Sequence, residues 1–132
     1  YSKLLGPDDL NRVKVKGFVD DVYRYTGAAD IVVSRASATV IAELAVQSKA
    51  VILVPGQLSG DHQGKNAKHL ESIGAAIRVD SGDADKLRKV VLSLLDDEDL
   101  CKQLSKRLHA IAKPEARREL AELVYRKFSI KR

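Results

Sequence analysis

The stretch AVILVP, residues 50–55, constrains this chain more than any other. Its apolar residues run on without polar alternation, so as a strand it has no side to turn toward water. Such a strand belongs in a parallel sheet covered on both faces. Pro55 and Gly56 stop it. Just before it, RASATVIAELAVQSK (35–49) places Ala38, Ile41, Ala42 and Ala45 on one helical face, small enough to pack close to a sheet. DIVVS (30–34) reads as a second buried strand. A strand, a helix and a parallel strand in succession make a right-handed crossover.

The same alternation extends both ways. RVKVKGFV (12–19) alternates apolar and basic residues, as a strand near a sheet edge does, and the eleven residues before it read as a connection or the tail of a preceding element. DDVYRYTGAA (20–29) is a short helix capped by Asp20 or Asp21, with Val22, Tyr25 and Ala29 on one side. After the apolar strand, a polar loop leads into a helix ending near Ile73, with Gly74 as a left-handed cap. AAIRV (75–79) is a fourth strand, followed by helices with apolar stripes Leu87, Val90, Val91, Leu94, Leu95 and Leu100, Leu104, Leu108, Ile111. Pro114 opens a last helix with Ala116, Leu120, Leu123, Val124 and Phe128 on one face. The predicted fold class is α/β: a Rossmann-like, doubly wound parallel sheet with helices on both faces, in one domain spanning 1–132.

At 132 residues, 45% apolar and 31% charged, the chain is long enough to bury a core of its own. No apolar run approaches the ~20 residues of a membrane span, and no signal peptide is visible. A net charge of +5 favours anionic partners. Nucleic acid is not expected, because the basic residues are dispersed among acids without interleaved aromatics. The single Cys101 cannot form an internal disulfide and fits a half-buried helical position; a reducing cytoplasm suits it.

In an open parallel sheet, ligands bind outside the carboxyl ends of the strands. Three segments reach that rim: GFVDD (17–21), SRASATVIAE (34–43) and PGQLSGDHQGKN (55–66). In the middle one, residues 36–39 form the first turn of a helix, whose free N–H groups and dipole attract an anion. Arg35 adds a charge, Ser37 and Thr39 add hydroxyls, and Glu43 could accept two hydrogen bonds from the vicinal hydroxyls of a ribose. The plainer reading of the same residues is a capped helix with a surface Arg and Glu. In the third segment Asp61, His62, Gln63 and Asn66 are either a solvated loop or a polar site. Gln63 and Asn66 are three apart and share a helical face, and amides both donate and accept, which suits sugar hydroxyls. No metal is expected, since His62, His69 and His109 lack ligand spacing. No nucleophilic triad is expected either, since Ser37 and Ser59 lack a glycine elbow.

The stretch ADIVVSRASATVIAELAVQSKAVILVPGQLSGDHQGKNAKHLESIGAA (29–76) resembles the carboxyl-terminal domain of the MurG family. R-x(7)-E, a VP strand end, D-H-Q-x-x-N-A and G-A-A occur together at these separations. GFVDDVYRYTGAAD before them and KPEARRELAELV after them fit too, so the resemblance runs from Val13 through nearly the whole chain. It implies the nucleotide-sugar (donor) half of a GT-B glycosyltransferase. Such an enzyme is an inverting hexosyltransferase that moves GlcNAc from UDP-GlcNAc to lipid I, making lipid II for peptidoglycan on the cytoplasmic face of the cell membrane. By that resemblance Phe18 and Val19 bracket the uracil, Arg35 opens the nucleotide helix, Glu43 binds the ribose, and Gln63 and Asn66 contact the GlcNAc hydroxyls. Ser37 and Thr39 complete the expected donor site. No catalytic residue, metal or cofactor beyond the donor is implied in this chain.

The pattern departs from the family at two places. R-A-S-A-T-V-I-A-E puts Ser37 where a glycine allows close phosphate approach, and Val40 where a threonine is usual. The family's glycine-rich diphosphate loop and its amino-terminal acceptor domain are absent, and the chain opens on Tyr1. The expectation is therefore a piece of a larger enzyme, inactive alone. Other readings stay open: another GT-B transferase such as a glycolipid synthase or the two-subunit dolichol-linked GlcNAc transferase, a UDP-sugar epimerase, or a non-catalytic UDP-binding partner module.

Overall fold

The computed structural model describes residues 12–56 and 61–129. Its element order is α1 (Val22–Ala28), β1 (Ile31–Ser34), α2 (Ala38–Val46), β2 (Ala50–Leu53), α3 (His62–Ser72), β3 (Ile77–Arg78), α4 (Ala84–Asp96), α5 (Glu98–His109) and α6 (Ala116–Ser129). The opening connection (1–11) and residues 57–60 of the polar loop, Ser59 among them, lie outside the described residues.

The strands form one parallel sheet in the order β1-β2-β3, with Ile31 opposite Ala50 and Ile52 opposite Ile77. All four residues of β2 are buried, as its unbroken apolar run requires. Alternation sends Val51 and Leu53 to one face, where they meet Leu44 and Ala45 of α2 and Ala67 and Leu70 of α3. Ile52 points to the other face, against Val79, Leu94 of α4 and Leu104 of α5. Helices therefore cover both faces, as the sequence predicts. Gly74 takes φ 65°, in the left-handed region, at the end of α3. Asp83 and Asp97 cap α4 and α5 by accepting from Lys86 N and Leu100 N.

The expected strand over 12–19 does not form, and the described sheet has three strands rather than four. Val15 and Phe18 are 73% and 86% exposed. A strand holds when both its ladder and one apolar face are satisfied; here no described layer covers the apolar side chains, so the alternating pattern stays irregular. The last helix likewise leaves Leu120, Leu123, Val124 and Phe128 exposed. Leu95 also faces solvent, at the margin of its stripe.

α1 buries no residue. It is held by polar contacts: Lys49 Nζ donates to Gly27 O at 2.6 Å and Ala29 O at 3.0 Å, and Gln47 Nε2 donates to Tyr23 O at 3.4 Å. A lysine ammonium on the last carbonyls of a helix also complements its dipole. Replacing it by an uncharged residue should release α1 alone. We expect Lys49→Met to cost about 1–2 kcal/mol locally, seen in hydrogen exchange as roughly tenfold faster α1 amides with β2 amides unchanged.

Candidate functional site

The carboxyl ends of the three strands deliver the rim. After β1 the chain passes Arg35 and buried Ala36 to Ser37, the N-cap of α2, whose Oγ accepts from Val40 N at 3.4 Å. Helix α2 thus starts at Ala38, two residues later than a first turn at 36–39 requires. Arg35 lies in the loop before the helix, and the exposed Thr39 is its second residue. Val40 packs against the core cluster, which explains an aliphatic side chain where a hydroxyl is usual.

After β2, residues 54–56 turn toward α3. That helix begins at His62, so Gln63 and Asn66 sit one turn apart on it. Gln63 Oε1 accepts from Gly56 N at 3.0 Å and from Arg35 Nε at 3.3 Å. Asn66 Nδ2 donates to Ala36 O at 3.0 Å. The two amides therefore stitch the β1–α2 loop, the end of β2 and α3 together. Asp61 precedes α3 in a left-handed conformation, φ 45°, with its carboxylate crowding Gly64 rather than capping the helix.

At the end of β3, Arg78 Nη2 lies 2.6 Å from Asp80 Oδ1, and that hydrogen bond, with the carboxylate's charge, raises the guanidinium pKa. The two rim arginines therefore differ. Arg78 is neutralised, whereas no carboxylate among the described residues pairs with Arg35. A guanidinium without a counter-charge among the described residues, beside a helix N-terminus, suits an anion.

The structure thus joins Arg35, Gln63 and Asn66, with Ser37 adjoining them as the helix cap. Phe18, Val19, Thr39 and Glu43 are not tied to this cluster by any hydrogen bond or ion pair among the described residues. Phe18 and Glu43 are exposed and Val19 is half-buried. Sequence reasoning places Gly56 in the rim segment 55–66 and as a strand stop, but misses it as a partner of Gln63 and a support for Arg35. Among the described residues no group of three His, Cys, Asp or Glu could hold a metal ion, and no helix is long and apolar enough to cross a membrane.

The model of the Glycosyltransferase family 28 C-terminal domain matches residues 2–123. The chain belongs to that family. Among curated relatives, a UDP-N-acetylglucosamine–N-acetylmuramyl-(pentapeptide) pyrophosphoryl-undecaprenol N-acetylglucosamine transferase of Caldicellulosiruptor saccharolyticus is 34% identical over 116 residues, covering 86% of this chain and 31% of the relative. The transferase of the same name from Myxococcus xanthus is 36% identical over 115 residues, covering 85% and 30%. The crystal structure of Acinetobacter baumannii MurG superposes with a TM-score of 0.75 at 27% identity, covering 86% of this chain and 33% of that one. A glycotransferase of kitacinnamycin shares the fold, with a TM-score of 0.65 at 23% identity. The chain spans about a third of the length of the curated relatives it matches. The family 28 assignment agrees with the Rossmann-like GT-B reading of the sheet.

Away from the rim, Cys101 Sγ donates to Leu94 O at 3.2 Å. Burial, then the charges of Asp97, Asp30 and Glu98, push its thiol pKa up. Raising the pKa lowers the thiolate fraction at neutral pH, so alkylation by iodoacetamide should be slower than for an unstructured cysteine peptide and should climb only at higher pH. At the rim, removing the Asn66 amide leaves the carbonyl of buried Ala36 without that partner. Asn66→Ala should lower stability by about 1–2 kcal/mol in urea titration.

Proposed function

We propose that this chain is the donor half of a MurG-like glycosyltransferase: it binds UDP-GlcNAc and presents the sugar for inverting transfer to lipid I. One observation carries the reading. Arg35, which no carboxylate among the described residues pairs with, is hydrogen-bonded to Gln63 at the strand-end rim and stands just before the N-terminus of α2 in a chain whose curated relatives carry that transferase name. A guanidinium and free helix N–H groups suit a diphosphate, and Glu43, further along α2, suits the ribose hydroxyls. Phe18 and Val19 would flank the base. Gln63 and Asn66 would meet the hexosamine.

In the full reaction a base outside these residues removes the proton from the acceptor hydroxyl. The oxygen attacks the anomeric carbon as its bond to the β-phosphate oxygen breaks, and UDP departs with the bonding electrons. Stabilising that growing negative charge by Arg35 and the α2 dipole accelerates transfer only if the contact strengthens toward the transition state. No divalent metal enters this scheme. A lipid-linked acceptor implies work at the cytoplasmic face of a membrane, with the enzyme peripheral to it, and the 132-residue chain alone should transfer no GlcNAc.

Calorimetric titration with UDP, UDP-GlcNAc and UDP-glucose tests the reading: the first two should bind, and UDP-GlcNAc should bind more tightly than UDP-glucose. A folded chain that ignores all three would be a different kind of module. Glu43→Ala should weaken UDP by about 1–3 kcal/mol through lost charge-assisted hydrogen bonds; an unchanged affinity would remove Glu43 from the ribose.

A further inference from the structure

Gln63 does more than a residue reading a sugar needs to do. Its Oε1 accepts from a main-chain N–H of the β2 turn and from the Nε of Arg35 at once. The Gly56 N–H is a donor only, so the orientation of the Gln63 amide follows from its partner rather than from choice. Gly56 itself has no positive φ; those glycines are Gly74 and Gly82. What it supplies is room. A Cβ built on Gly56 would overlap Nη2, Cζ and Nε of Arg35. The guanidinium therefore rests on the bare main chain of Gly56, with Gln63 holding its Nε.

We propose that Gly56 and Gln63 form a seat that positions the Arg35 guanidinium for the diphosphate of the donor, making Gln63 a positioning residue in addition to any sugar contact. The inference rests on the donor-binding reading above. With Nε occupied by Gln63, the two Nη groups remain as a fork, the geometry that takes two anionic oxygens together. An arginine free in solvent must give up rotamer freedom when it grips an anion; one already seated gives up less, and binds more tightly for that reason.

The seat makes a prediction that a sugar contact does not, because UDP carries no hexosamine. Titrating the chain with UDP, Gln63→Ala and Gly56→Ala should each weaken binding about as much as Arg35→Ala, on the order of tenfold. The Arg35→Ala/Gln63→Ala double variant should be no weaker than Arg35→Ala alone. The atoms that a Gly56→Ala methyl displaces are the far end of a flexible side chain, so that variant should fold and evict the guanidinium, and a thermal melt checks it. Losses confined to UDP-GlcNAc, or Arg35 and Gln63 losses that multiply, would overturn the seat.

A readout without ligand separates the two readings. In nitrogen-15 NMR the Arg35 Nε–H signal, assigned by its disappearance in Arg35→Ala, should be protected from water exchange and lose that protection in Gln63→Ala and Gly56→Ala. UDP binding with an unprotected Nε–H sinks the seat alone. A protected Nε–H in a chain that does not bind UDP sinks the donor-binding reading and the purpose assigned to the seat.

Discussion

Everything in this structure is arranged around the burial of β2. Four consecutive side chains, Ala50 to Leu53, are removed from water, and both edges of the strand are paired in parallel. Parallel neighbours demand crossover helices, and a strand apolar on both sides demands helices on both faces. The layers, the direction of each connection and the convergence of loops at one rim follow from that demand. The site is a consequence of topology before it is a consequence of its residues.

On that rim, main-chain groups decide what the side chains do. The carbonyl of Ala36 engages Asn66, and the N–H of Gly56 engages Gln63. Both backbone groups sit just beyond strand ends, where the ladder no longer supplies partners and another must be found. The amides of α3 fill that role, and Arg35 is captured in the process. Its charge stands unpaired among the described residues, in contrast to Arg78, which Asp80 neutralises two strands away.

Much of this was legible in the residues because it followed from period and punctuation. The apolar run of β2, the left-handed Gly74 and the shared face of Gln63 and Asn66 are local properties, whereas the stripe expected on α2 was only partly right, because Ala38 and Ala42 are exposed and Leu44 is buried beside Ala45. The segment 12–19 was not legible. Its alternation of valine and lysine reads as a strand, yet Val15 and Phe18 find no covering layer in the described fold. Period says which side of a strand is apolar; it does not say that anything will cover that side. Gly56 was equally opaque, since a glycine after a proline ends strands everywhere, and only coordinates show a guanidinium lying against it. The start of α2 shifted by two residues because Ser37 bonds Val40 N, a capping choice that composition alone leaves open.

The orientation of the two amides on α3 has a last consequence. Gln63 has committed its oxygen twice, so toward anything outside it can offer only hydrogens. Asn66 has committed a hydrogen to Ala36 and keeps its oxygen. One turn of helix therefore separates a giving group from a taking one. A hydroxyl reaching these amides would be sorted by the direction of its own dipole, and the main chain sets that polarity.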